Sequence, residues 1–311
     1  MILSVRKKAS GFSLKLFLSL CITILFSNCV VLSPAAESQT AKDLQNNALA
    51  LSSRQDDIPT EDQIDFNWIK LYDGVEHCAF FDETSHSMCN AVKIKLETPG
   101  ISLIASMPYN AIPDGTSIFK AETTKKFAIR NNAFVAINAT PFNYPSGRAS
   151  KKRTLAGVFA ADDIILAPRA GRYAALIFDT DENNNLSARI IDSQNDFEPD
   201  SSTKFAFGGF WTLLKEGEII PFKSQQKEPR SAVGILDDGK TLILIAIDKS
   251  GIASKGATFN ETSSILLKLG ATEAIMLDGG SSSSLIINGK QVSKTFPHVE
   301  VALSFGFSLK E

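Results

Sequence analysis

Thr241-Leu242-Ile243-Leu244-Ile245-Ala246-Ile247-Asp248 and Glu273-Ala274-Ile275-Met276-Leu277-Asp278 are two short apolar runs, each ending on an aspartate. Between them, Thr258-Phe259-Asn260-Glu261 has the Thr-x-x-Glu form of a capping box and Gly270 supplies a stop, so a helix is expected over 258–269. Strand, helix and strand in that order make a crossover, which implies parallel strands in one sheet. On that reading Asp248 and Asp278 end their strands on one sheet edge. Adjacent strands lie roughly 4.8 Å apart, so both carboxylates can face the crevice where open α/β sheets bind ligands.

A second crossover is legible upstream. A strand over 101–106 leads through a helix over 117–130, stopped at Asn131-Asn132, to the strand Phe134-Val135-Ala136-Ile137-Asn138, and Asn138 can join the two aspartates from its own strand end. Further short β-rich runs, broken by Gly, Pro, Asn and Asp, occupy 91–97, 155–160 and 173–179. The expected fold is α+β: a mixed, strand-rich sheet with two main helices, about 117–130 and 258–269, acting as crossovers.

The 311 residues are 44% hydrophobic, enough for a substantial core, and about one domain is expected, at 66–311. Residues 1–36 carry Arg6, Lys7, Lys8 and Lys15 and no acid, which leaves the remainder with 28 bases, 34 acids and a charge of −6. A nucleic-acid partner is thereby disfavoured. The basic start and the uncharged run from Leu16 to Ala36 read as an export signal over 1–29. An uncleaved membrane anchor is also long enough, and Leu25-Phe26-Ser27-Asn28-Cys29 loosely resembles a lipobox with Cys29 as the lipidated residue. Residues 30–65 read as a polar tether, with the chain periplasmic, on the cell surface or secreted, and any membrane contact made through the N-terminal anchor. Cys78 and Cys89 are expected to pair as a disulfide in an oxidising compartment, with zinc on the His77, Cys78, His86 and Cys89 cluster as the lesser alternative.

The stretch after the second run, Asp278-Gly279-Gly280-Ser281-Ser282-Ser283-Ser284, stops a strand on an acid and turns tightly. Its amides can form an anion-binding nest, with Ser281 and Ser282 adding hydroxyl donors. An Asp-Gly hairpin with a polar tip explains the same residues equally well. Arg230 can grip a phosphate with its forked guanidinium, or form a surface ion pair. Glu261 reads first as the capping-box acid and second as a general acid or base; Asp248 can equally be a turn residue. His298 and Lys151-Lys152-Arg153 read as solvated.

Taken together, Ala136-Ile137-Asn138 with Phe142, Leu155-Ala156-Gly157-Val158, Gly209 to Gly217, Arg230-Ser231-Ala232-Val233-Gly234, and Gly256 through Ser284 resemble the phosphodiester glycosidase family over roughly 90–305. Within the last segment Thr258, Glu261, Leu269-Gly270 and Leu277-Asp278-Gly279-Gly280 follow the family pattern without a gap. The chain departs from that pattern at Asn138-Ala139-Thr140-Pro141-Phe142, where the family commonly has Asn-Gly-Gly-Phe-Phe.

The resemblance implies hydrolysis of a sugar-1-phosphodiester of the N-acetylglucosamine type at the anomeric carbon. Asp278, Glu261 and Asp248 are then the candidate catalytic carboxylates, and Arg230, Asn138, Gly279, Gly280, Ser281 and Ser282 the candidate substrate-binding residues. The second reading is a surface lipoprotein that binds glycan or phosphoglycan without cleaving it. No motif demands a metal or cofactor, although Asp248, Asp278 and Asn138 form an oxygen set compatible with a divalent cation.

Overall fold

The strand Thr241–Ile247 is buried at every position. Its alternate residues serve two cores: Leu242, Leu244 and Ala246 join one cluster, and Ile243, Ile245 and Ile247 the other. A period of two divided between two faces is what a strand covered on both sides requires. The second face is roofed by the helix Phe259–Lys268, which contributes Ile265 and Leu266. The first face packs on residues from two further sheets, among them Ile137, Phe178, Phe207 and Phe305. This computed structural model describes residues 66–236, 239–295 and 299–309, which all belong to one compact unit; the signal sequence, the tether and Cys29 lie outside them.

Four antiparallel sheets make up the α+β fold among the described residues. The largest has eight strands, in the order Ile69–Tyr72, Val75–Asp82, Ser87–Lys95, Thr241–Ile247, Arg230–Ile235, Glu273–Met276, Thr212–Lys215 and Glu218–Ile219. One five-stranded sheet runs Lys290–Gln291, Leu285–Ile287, Val135–Asn138, Ser304–Leu309, Ile101–Ala105; the other runs Ile164–Ala167, Phe159–Ala161, Thr203–Gly208, Ala175–Thr180, Leu186–Ile191. A three-stranded sheet joins Phe119–Lys120, Lys152–Leu155 and Phe142–Asn143.

Both expected crossovers exist, with one correction. Thr241–Ile247 and Glu273–Met276 are parallel to each other but not adjacent, because Arg230–Ile235 lies between them and pairs antiparallel with each, Val233 facing Leu244 on one side and Ile275 on the other. Ile101–Ala105 and Val135–Asn138 are likewise separated by Ser304–Leu309. Interleaved strands from elsewhere in the chain are invisible to a reading of neighbouring segments. The Phe259–Lys268 helix matches its expected span, and its capping box is complete. The upstream helix is shorter than expected, Thr124–Arg130, because Phe119 and Lys120 pair as strand with Arg153 and Lys152.

Cys78 and Cys89 are buried free thiols rather than a disulfide. Their strands pair with Cys78 opposite Ala91 and Cys89 opposite Phe80, so the two cysteines sit on a diagonal instead of facing one another. Directly opposed residues bring their Cβ atoms close, whereas a diagonal pair is farther apart than a disulfide spans. His77 bonds to Asn90 and His86 packs edge-on against Phe81. No group of three or more His, Cys, Asp or Glu is gathered at a metal-binding distance among the described residues. None of the helices there is long and apolar enough to cross a membrane.

Sheet contact is tightest at Gly306, where a Cβ would stand 2.2 Å from the Val135 carbonyl oxygen. Gly306→Ala is expected to lower folding stability by about 2 kcal/mol in urea titration, since neighbouring backbone has to shift to admit the methyl.

Candidate active site

Leu277 to Ser284 carries the chain from the eight-stranded sheet into the five-stranded sheet of Leu285–Ile287. It is therefore a connection between layers and not the tip of an Asp-Gly hairpin. The Asp278 amide donates to the Ala139 carbonyl at 2.9 Å, and the Asn138 Nδ2 donates to the Asp278 carbonyl at 2.6 Å. Gly280 then adopts φ +60°, a left-handed conformation that glycine enters without strain, and opens a short 3-10 turn over Gly280–Ser282.

This turn folds back on the Asp278 side chain. The Ser282 hydroxyl and the Gly279 amide both donate to its carboxyl and pull its pKa down, but burial outweighs them and pushes it up to about 7. The nest expected from the glycines is consequently not free for a ligand. Gly279 serves Asp278, Gly280 donates to the Pro229 carbonyl, and the amides of Ser282 and Ser283 close the turn on Gly279 and Gly280. Ser281 is exposed, whereas Ser282 is buried against Asp278.

Asn138 is fully buried, which places it behind the site rather than against a ligand. Its Oδ1 accepts from the Ser231 hydroxyl at 2.7 Å and from the Ser284 amide at 3.0 Å, so both ends of its amide are committed. That leaves no oxygen for a shared cation with Asp248 and Asp278.

Arg230 begins the strand between the two aspartate-bearing strands, facing Ile247, and Ala232 faces Met276. The register thus lines up Asp248, Arg230 and Asp278 along one sheet edge, with the aspartate backbones about two strand spacings, roughly 10 Å, apart. Arg230 is buried and mostly committed: Nε donates to the Ala257 carbonyl and Nη2 to the Gln226 carbonyl, and the guanidinium lies 4.4 Å above the Phe259 ring. A Cβ placed at Gly279 would be 3.9 Å from its Nη1, so Arg230 braces the Asp278 turn.

Both carboxyl oxygens of Glu261 carry structural contacts. Its Oε2 accepts the Thr258 amide at 2.8 Å to close the capping box, and its Oε1 pairs with Lys227 at 2.6 Å. Asp248 is buried, and its carboxyl accepts the Lys294 amide at 2.8 Å; burial pushes its pKa up to about 6, against the pull of Lys294.

Asp278 opens into a cavity of about 710 Å³. Phe142, Tyr173 and Phe210 give it an aromatic wall, and Arg172 is its cation. Of the residues singled out in the sequence as catalytic or binding, Asp278 alone lines it. Another cavity of about 720 Å³, which includes Leu103, Asp163, Asn184 and Lys204 in its lining, contains none of them.

The wall is assembled from afar. Phe210 reaches Asp278 because Gly209 has no side chain: a Cβ there would lie 2.6 Å from the Met276 carbonyl. Tyr173 packs edge-on against both Phe210 and Trp211, at 5.3 and 4.9 Å between ring centroids. The loop that carries Arg172 and Tyr173 is pinned by Gln194, fully buried, whose Oε1 accepts the amides of Val158 and Ala170 while Nε2 donates to Ala174. Ser193 adds a bond to the Gly171 carbonyl at 2.7 Å.

Residues Gly157 and Gly209 belong to runs already singled out in the sequence, but Arg172, Tyr173 and Gln194 have no spacing signal that would have found them. Gln194→Leu strips partners from three backbone groups, those of Val158 and Ala174 buried and that of Ala170 half-buried. It is expected to cost about 3 kcal/mol or more in chemical denaturation and to alter the fluorescence of Trp211, which rests on Tyr173.

The sequence profile of the phosphodiester glycosidase family matches residues 127–307. A prophage SPbeta-derived protein of Bacillus subtilis strain 168 is 30% identical over 190 residues, which is 58% of this chain and 28% of the relative. The chain thus spans well under half the length of that curated relative. Among solved structures, a hypothetical protein from Synechocystis aligns with a TM-score of 0.57 at 19% identity, over 79% of this chain and 64% of that one. The zebrafish N-acetylglucosamine-1-phosphodiester alpha-N-acetylglucosaminidase catalytic domain, in a form auto-inhibited by its pro-peptide, aligns with a TM-score of 0.56 at 17% identity, over 76% and 82%. At such identities these structures share the fold. The profile covers more than half of the chain, including Asn138, Arg230 and the Asp278 turn, and the chain belongs to the phosphodiester glycosidase family.

Proposed function

We propose that the protein hydrolyses a sugar-1-phosphodiester of the N-acetylglucosamine type at the anomeric carbon. The observation that carries this reading is Asp278, a carboxyl held near neutrality by burial at the wall of an aromatic cavity. Water attacks the anomeric carbon and passes its proton to the Asp278 carboxylate. The bond between that carbon and the phosphate oxygen breaks, and its electron pair leaves on the phosphate. A phosphate monoester is a weak base and departs without a proton, so one carboxylate at the cavity suffices. The reaction calls for no cofactor.

The alternative, a surface protein that binds glycan or phosphoglycan without cleaving it, draws on Ala139 and Thr140 standing where the family commonly has two glycines. Neither residue has a positive φ, so that backbone carries no strain from losing the glycines. We also infer export, from the basic start and the uncharged run up to Ala36, with Cys29 as a lipidation candidate.

Free sugar is expected from a panel of N-acetylhexosamine-1-phosphodiesters, and Asp278→Asn is expected to lower kcat at least about 100-fold. The stability of that variant separates loss of chemistry from loss of fold. Burial raises the folded Asp278 pKa from 3.8 to about 7. The folded state therefore holds this proton more tightly, and its contribution to stability is complete below about pH 4 and lost as pH rises through 7. Asparagine never ionises, so Asp278→Asn should melt above the parent at pH 8, with the gain fading towards pH 4. A variant that keeps parental turnover rules the reading out; saturable binding with no product after prolonged incubation favours the binder. For the parent, kcat/KM should rise with pH through a midpoint near 7 to a plateau, and a profile that only falls over pH 5–9 would contradict Asp278 acting as its carboxylate.

A further inference from the structure

The Asp278 cavity holds one acid and one base. Arg172 is exposed at the cavity, and its guanidinium lies 4.7 Å from the centre of the Tyr173 ring, with Nη2 donating to the Tyr173 hydroxyl at 2.8 Å. No carboxylate pairs with it among the described residues, in contrast with its neighbour Arg169, which pairs with Glu198 at 2.9 Å and donates to the Phe197 carbonyl. A stacked guanidinium with its remaining N–H groups uncommitted is suited to gripping a phosphate with two parallel bonds.

The loop beneath it is built to hold still. Gln194 ties Ala170 and Ala174, its own amide donates to the Tyr173 carbonyl at 2.8 Å, and Ser193 ties Gly171. Every residue from Ala170 to Ala174 other than Arg172 has a backbone group bonded to this support or to the strand beyond it, so Arg172 is presented on a fixed platform. Arg230, by comparison, spends Nε and Nη2 on backbone carbonyls and does not line the cavity.

Building on the reading of the site as a phosphodiester glycosidase, we propose that Arg172 is the phosphate-binding and specificity-determining residue. It holds the anionic group of the substrate at the cavity while the Tyr173 and Phe210 rings pack against the sugar. Specificity for a charged aglycone then resides in the loop between Ile164–Ala167 and Ala175–Thr180, and Arg230 is a positioning residue for the Asp278 turn.

The test compares Arg172→Gln and Arg172→Lys with the parent. Calorimetry with N-acetylglucosamine 1-phosphate and with N-acetylglucosamine is run beside turnover of a glycosyl phosphodiester and of the neutral nitrophenyl glycoside of the same sugar. Arg172→Gln is expected to weaken binding of the sugar phosphate at least tenfold and to raise KM for the phosphodiester to a similar degree. Binding of the free sugar should stay within twofold, as should KM for any turnover of the neutral glycoside. Arg172→Lys should recover part of the loss, since a point charge replaces the fork, and both variants should melt with the parent because the side chain is exposed. Equal affinity of parent and Arg172→Gln for the sugar phosphate overturns the assignment, as do equal losses for charged and neutral ligands, or a parent that does not bind the sugar phosphate at millimolar concentration. A parent that binds the sugar phosphate through Arg172 but releases no sugar from any diester sinks the proposed reaction and leaves the assignment of Arg172 standing.

Discussion

The bonds between Asn138 and the Asp278 turn are the constraint on which the rest of this molecule depends. One buried amide holds the Asp278 carbonyl, the Ser231 hydroxyl and the Ser284 amide at once, while the Asp278 amide is held by Ala139. These contacts fasten the end of Val135–Asn138 in one sheet to the ends of Arg230–Ile235 and Glu273–Met276 in another. A buried amide with every partner in place is stable; one left half-satisfied in a low-dielectric interior is costly, so the junction tolerates little slippage. The geometry of the Asp278 carboxyl follows from it.

Around that junction the chain spends polar groups on itself. Arg230 holds carbonyls from two loops, Glu261 closes a helix and pairs with Lys227, and the amides of Gly279 and Gly280 serve the Asp278 carboxyl and the Pro229 carbonyl. Residues that look like binding chemistry in the sequence are thus used as scaffold. What faces the cavity is sparse: one carboxyl that burial holds near neutrality, one arginine, and aromatic rings. A few polar groups converging on a mostly apolar cleft is the usual composition of a small-ligand site.

The sequence disclosed a good deal of this and hid the remainder for definable reasons. Asp278 at a strand end, the capping box at Thr258 and the mutual direction of Thr241–Ile247 and Glu273–Met276 all rest on local patterns, and local patterns are readable. The interleaved Arg230 strand is not local, and it doubles the spacing assumed between Asp248 and Asp278. Helix propensity over 117–130 gave way at Phe119, which is completely buried and paired with Arg153. The assembly of the aromatic wall was hidden most deeply: Phe142 and Phe210 belong to runs that carry the resemblance, but the meeting of Phe210 with Tyr173 depends on Gly209 and Gln194. The resemblance to a family located Asp278 and did not locate Arg172.

Burial at this junction, and not a neighbouring charge, raises the Asp278 carboxyl to about 7. Titration of the folded protein with carbon-13 in its aspartate carboxyls, assigned by difference against Asp278→Asn, measures that directly. A resonance with a midpoint near 7, absent from the variant, is expected. A midpoint near 4, the value of an ordinary solvated aspartate, would contradict it.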